Sequence, residues 1–145
     1  MLLNYVEAFQ SLNVNSPGKQ ERKPYKPALL LAVIDGIEAG RIQNNQIIIT
    51  QELIDSFTSN CEKLGVTTPY RSRNLAYPFF HLKTEGFWRL QEKPGMKIVV
   101  TSSNSISGLK HLQEVVAYAR LDLSLWDLLK ADKSRNILRN ALLAK

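Results

Sequence analysis

Side chains suited to phosphate chemistry concentrate in two stretches of the 145-residue sequence that contain no acid. Between Glu62 and Glu85 lie Lys63, Arg71, Arg73 and Lys83, with Tyr70, Asn74 and Tyr77 among them. From Lys93 to Gln113 lie Lys97, Lys110 and His111, with Ser102, Ser103, Asn104, Ser105 and Ser107. Arg and Lys bring charge to a phosphate backbone, while Ser, Asn and backbone N–H groups bring neutral donors, so this interleaving fits contact with a polyanion. The totals point the same way: 19 Lys and Arg against 13 Asp and Glu leave a formal net charge of +6. The competing reading of that excess is lysine that only keeps the protein soluble.

Catalysis finds no such support. The two histidines, His81 and His111, are far apart in sequence, and their separation matches no common metal or catalytic spacing. A His-Asn-His nuclease needs several histidines and usually zinc cysteines, whereas Cys61 is the sole cysteine. An Asp/Glu-Lys nuclease needs a Glu-x-Lys group on a strand to hold magnesium, and the segment Lys97 to Val100 has none. The seven glycines stand singly, without a phosphate-cradling or dinucleotide pattern. Cys61, between Phe57 and Leu64 on the apolar side of a helix, reads as a packing residue. The expectation is a binding module with no catalytic residues, no metal, no cofactor and no small-molecule substrate.

The elements that must position these residues follow from periodicity. Hydrophobic residues make up 44% and charged residues 22%, as expected of one globular domain over residues 1–145, without repeat or linker. Leu3, Val6, Phe9 and Leu12 give a first helix, and Asn13 to Pro24 a polar loop carrying Lys19, Arg22 and Lys23. Pro27 suits the first turn of a Leu-rich central helix that Gly40 ends. Ile47 to Ile49 reads as a short strand, and Thr50 as the N-cap of a helix running to Leu64. Tyr77 to Leu82 reads as a short helical turn. Residues 86 to 101 read as a hairpin, with strands Phe87 to Leu90 and Met96 to Thr101 around Lys93-Pro94-Gly95. Helices are expected over Leu109 to Tyr118, Ser124 to Leu129 with Ser124 as N-cap, and Lys133 to the end. The class is helix-rich α+β with a small antiparallel sheet, a winged-helix-like arrangement being one candidate.

Two segments resemble a known family. They are Tyr25-Lys26-Pro27-Ala28-Leu29-Leu30-Leu31 and Leu75-Ala76-Tyr77-Pro78-Phe79-Phe80-His81-Leu82-Lys83-Thr84-Glu85-Gly86-Phe87-Trp88. Together they resemble the DNA sulfur-binding domain at the front of phosphorothioate-dependent restriction endonucleases. That family has an aromatic or His residue and then a basic residue at the start of a Leu-rich helix. A Tyr-Pro-aromatic turn and a Gly-aromatic-Trp strand come some fifty residues later. The overall plan spans most of the chain, while only these two segments are specific.

The resemblance implies a pocket for sulfur in place of a non-bridging phosphate oxygen. Sulfur is larger, more polarizable and a poorer hydrogen-bond acceptor, so an apolar cup beside a cation strips an oxygen anion of hydration that sulfur can do without. Tyr77 and Pro78 match the walls of that pocket and His81 lines the same turn. Lys26 matches the basic position that approaches the modified phosphate, and Tyr25 a neighbouring DNA contact. Relatives carry Arg or His at those two places, and Lys26 brings a point charge without a guanidinium fork. His81 is bulkier than the small residue some relatives place there. Tyr77 and Pro78 as ordinary turn residues, and Lys26 as a solvated lysine, are the plainer alternatives; Phe79, Phe80, Phe87 and Trp88 read as core. Arg71, Arg73 and Asn74 suit base edges or plain phosphate contact, with Lys83 and Lys110 as further backbone contacts. Ser102, Ser103 and Asn104 suit DNA contact or a mere hairpin exit.

The expected function is therefore recognition of double-stranded phosphorothioate DNA in bacterial defence, by a cytoplasmic protein without membrane contact. A standalone reader and the front module of an enzyme with an HNH nuclease domain in cis both fit, and the full-length enzyme has room to act as a homodimer. A general winged-helix or other-modification DNA reader is the second reading. A protein-interaction domain whose aromatic cluster docks a partner helix is the third.

Overall fold

The computed structural model of the chain describes residues 1–12, 24–66, 75–100 and 106–143. The described elements are α1 (Leu2–Gln10), α2 (Tyr25–Glu38), α3 (Gln51–Lys63), α4 (Ala76–His81), a 3-10 turn (Leu82–Glu85), β1 (Trp88–Glu92), α5 (Leu109–Val115), β2 (Val116–Leu121), α6 (Leu123–Lys130) and α7 (Asp132–Leu143). This is the expected helix-rich α+β class.

Every residue from Ala28 to Ile34 is buried, and a helix that is apolar on all sides is stable only when other elements surround it. α2 accordingly packs against α3, α4, α6 and α7. Gly40 follows its C-cap with φ +80°, a left-handed conformation that a residue lacking Cβ adopts without strain. α3 starts as expected at Thr50, whose hydroxyl accepts the Leu53 N–H at 3.1 Å.

The sheet departs from expectation. β1 pairs antiparallel with β2, Trp88 opposite Leu121 and Leu90 opposite Ala119. The hairpin over 86 to 101 does not form, because the backbone donors of its second arm go to side chains. Glu92 Oε2 accepts the Ile98 N–H at 2.7 Å and His111 Nε2 accepts the Val99 N–H at 3.2 Å. With that hairpin goes the wing of a winged-helix arrangement. The helix expected over Leu109 to Tyr118 stops at Val115, and the following residues become β2. The Val115-Val116 pair favours extended backbone, and no glycine marks the switch. The strand expected at Ile47 to Ile49 reduces to a single bridge, Ile47 with Ala119. Beside it the Asn45 carboxamide donates to Leu121 O at 2.7 Å and accepts its N–H at 2.8 Å, imitating one more backbone pair. β2 therefore lies between β1 and the 45–47 segment. Ser124 is not an N-cap either: Asp122 holds that position, and the Ser124 hydroxyl meets the Tyr5 hydroxyl at 2.6 Å, joining α1 to α6.

α7 closes the bundle over the C-terminal end of α2. Arg139 Nη2 donates to Glu38 Oε1 at 2.7 Å and to Asp35 Oδ1 at 3.4 Å. Asn60 donates to Asp35 Oδ2 at 3.0 Å. The buried Arg135 guanidinium pairs with Asp132 and donates to Leu129 O at 3.2 Å.

Candidate nucleic-acid interface

Six residues long, α4 is pinned by its own aromatic residues. Phe79 and Phe80 are buried; the Trp88 indole N–H donates to Phe79 O at 2.8 Å, and the two rings meet edge to face at 5.3 Å. With Phe87 also buried, these four aromatics form core as expected, and none is free to stack on a base or dock a partner helix. Fixing that face leaves the other outward. Tyr77 and His81, one helical turn apart, share it: Tyr77 is 39% exposed, His81 half-buried, and Pro78 between them buried.

α4 packs against α2, so this face stands beside the start of the central helix. Tyr25 is half-buried there, its ring 6.0 Å from that of Phe57. The 3-10 turn then brings Glu85 back to α2, where Lys26 Nζ lies 2.6 Å from Glu85 Oε2 with the two side chains 9% and 13% exposed. Lys26 is thus a buried, paired cation and not the solvated first-turn lysine of the plainer reading. Thr84 steadies the turn through His81 O at 2.9 Å.

The imidazole of His81 registers these neighbours. Burial lowers its pKa, and the charges of Lys26 and Lys83 lower it further, so the ring is neutral at pH 7. Lys83 is exposed, with Nζ 4.5 Å above the Phe80 ring, a cation–π contact. The structure therefore gathers Tyr25, Lys26, Tyr77, Pro78, His81 and Lys83 at one corner. Lys110 is exposed in the first turn of α5, an element that packs on α4. Arg71, Arg73, Asn74, Ser102, Ser103 and Asn104 lie outside the described residues.

Glu85 is the member of the corner that sequence reasoning missed. It closes the acid-free stretch that begins after Glu62, and its partner Lys26 lies in a distant element. The signal that could have found it is its place as the lone acid inside the specific Tyr77 to Trp88 segment. Cys61 is fully buried, and burial, with Glu62, pushes its thiol up to about 12, which suits packing and not nucleophilic work. Among the described residues no three His, Cys, Asp or Glu side chains are grouped to hold a metal, and no helix is long and apolar enough to cross a membrane. An open pocket of about 450 Å³ runs from Ala32 and Gly36 to Thr50 and Leu53 and includes none of the corner residues.

No protein-family model matches the chain, and no curated protein matches it. Solved structures do. The sulfur-binding and SRA domains of ScoMcrA, complexed with phosphorothioated DNA, align at TM-score 0.67 and 18% identity over 92% of this chain. The sulfur-binding domain of ScoMcrA alone, again with phosphorothioated DNA, aligns at TM-score 0.69 and 17% identity over 95%. The fold is that of a sulfur-binding domain. ScoMcrA itself, a type IV phosphorothioation-dependent restriction endonuclease, aligns at TM-score 0.69 and 19% identity over 96% of this chain. The chain spans 40% of the first of these structures, 84% of the second and 28% of the third.

Proposed function

We propose that this domain binds double-stranded DNA carrying a phosphorothioate and distinguishes it from unmodified DNA at the Tyr77 corner. The observation that carries the reading is the meeting of two chain segments, one bringing Tyr25 and Lys26 and the other Tyr77, Pro78 and His81, on a fold shared with domains solved on phosphorothioated DNA. The Tyr77 ring and the edge of Pro78 supply an apolar wall, and Lys26 supplies the cation. A phosphate oxygen pressed there loses water without full compensation, while sulfur, less dependent on hydrogen bonds, loses little. Lys83 and Lys110 give sequence-independent attraction at the rim; Arg71, Arg73, Asn74, Ser102, Ser103 and Asn104, outside the described residues, are candidates for base or phosphate contact. The domain has no catalytic residues of its own and works in the bacterial cytoplasm as the reader for an HNH nuclease domain carried in cis.

The experiment compares one duplex with and without a single Rp sulfur, by gel shift at physiological salt. Tighter binding to the sulfur-bearing duplex is expected. Equal affinity for the two would end this reading and leave a general DNA-binding domain.

A further inference from the structure

The proposed sulfur site contains one feature that a simple anion-binding site would avoid. Its buried cation already has a carboxylate partner, 2.6 Å away and itself mostly buried. We propose that Glu85 is a specificity-determining residue, which cancels the charge of Lys26 so that contact with the backbone is decided by desolvation and not by attraction.

This role for Glu85 rests on the binding reading above and follows from charge. A buried ammonium with no partner attracts an oxygen anion more strongly than a sulfur one, because oxygen is smaller, lets the charges approach closer and accepts the stronger hydrogen bond. Such attraction repays the oxygen anion for part of its lost hydration and so narrows the difference between the two ligands. Glu85 turns the monopole into a short dipole, whose pull falls off faster with distance. What remains at the corner is the exposed Tyr77 ring, an apolar surface that penalises the better-hydrated oxygen anion. His81 adds no opposing charge at pH 7, since burial, Lys26 and Lys83 all favour its neutral form. Lys83, another cation among the described residues of this corner, is exposed, where solvent and salt screen it. Glu85 also orients Lys26: an ion pair between two side chains this buried fixes one N–H of the ammonium and leaves the others a restricted range of directions.

The test uses the whole domain, the same duplex with and without sulfur, and the variants Glu85→Gln and Glu85→Asp. Glutamine keeps a hydrogen-bond acceptor for Lys26 and removes the charge. Glu85→Gln is expected to bind the unmodified duplex about ten-fold tighter, with a salt slope steeper by about one, while affinity for the sulfur duplex rises less than three-fold. The sulfur preference then shrinks several-fold, and Glu85→Asp, which restores the charge, restores most of it. A Glu85→Gln variant that keeps the wild-type preference, or that weakens both duplexes alike, overturns the proposal while the binding reading stands. A wild-type protein without sulfur preference defeats the binding reading itself. Thermal melting checks that Glu85→Gln is folded. If it is not, the ¹⁵N resonance of the Lys26 ammonium in the wild-type protein decides: the Glu85 pairing should persist in the sulfur-duplex complex, and its release on binding overturns the proposal.

Discussion

At its C-terminal end α2 presents Asp35 and Glu38 to Arg135 and Arg139 on α7, with Asn60 and Ser56 of α3 completing the contacts of Asp35. At its N-terminal end Lys26 meets the single carboxylate of Glu85, beside a neutral His81, an exposed Tyr77 and an exposed Lys83. The first arrangement spreads two carboxylates over several donors from two other helices, and it joins elements distant in sequence. The second joins Lys26 to Glu85 and, among the described residues, leaves the Tyr77 ring and Lys83 exposed at the surface. Both are ion-paired helix ends, yet the first is closed by its partners and the second keeps Tyr77 and Lys83 exposed. The contrast teaches that pairing alone does not identify a site; what matters is whether anything beyond the pair stays accessible.

The largest way to probe that contrast is Arg135→Ala. Its guanidinium is 8% exposed and bonds Asp132, Glu38 and the carbonyls of Leu129 and Lys130. Losing it removes the packing of a buried side chain and its bonds to two carbonyls, while Asp132 and Glu38 remain solvated; stability should fall by about 2 kcal/mol, read as a drop in the urea midpoint. Binding to sulfur-bearing and plain duplexes should keep its ratio wherever the variant is folded. A changed ratio would break the division of labour between the two ends.

Tyr77→Ala reverses the pattern at the other end. The ring is 39% exposed, so its removal should change stability by only about 0.5 kcal/mol, the usual range for surface substitutions. Affinity for the sulfur duplex should fall about ten-fold, roughly 1.4 kcal/mol, against about two-fold or less for the plain duplex. An equal loss on both would make Tyr77 an ordinary DNA contact and move the discriminating wall elsewhere.

The two ends were unequally legible in the sequence. The central helix announced itself through Pro27, the unbroken apolar run Ala28 to Ile34 and Gly40, because burial on all sides and a left-handed cap are local demands. Tyr25, Lys26, Tyr77, Pro78 and His81 were legible as types, and the fold brings them together. The Glu85 partner was not, since the contact depends on how α4 and the 3-10 turn fold back onto α2. The sheet misled for a related reason. Met96 to Val100 has strand composition, but Glu92 and His111 take its backbone donors, and β1 finds its partner in a segment with a helical start. Local propensity cannot report which of two donors' partners wins. The Asp35, Arg135 and Arg139 network was also invisible as sequence, because its charges look like those of any solvated helix face.

The smallest effect, and the one that sharpens the account of the open end, is the pH dependence carried by His81. Among the described residues, the charges that act on it are Lys26 from α2 and Lys83 from the 3-10 turn, and the Phe80 ring meets it edge-on at 5.0 Å. Its folded pKa lies below the ordinary value, chiefly through burial and then through the two lysines. In the unfolded chain the ring therefore protonates first as pH falls. Stability from this group is fully present above about 6.5, the ordinary histidine value, and is lost as pH drops from there to the folded pKa. Below that the two states titrate together and the loss stops. The slope cannot exceed about 1.4 kcal/mol per pH unit for one proton, so the effect is read as a difference between wild type and His81→Gln in urea midpoints between pH 5 and pH 8. Wild type should lose stability toward pH 5 relative to the variant. DNA acts in the opposite direction to burial: a nearby phosphate favours the protonated ring, so plain-duplex affinity should rise as pH falls, and the sulfur preference should narrow in wild type but not in His81→Gln. An unchanged preference across that range would mean that the charge of His81 does not reach the phosphate, and the discriminating surface would contract to Tyr77, Lys26 and Glu85.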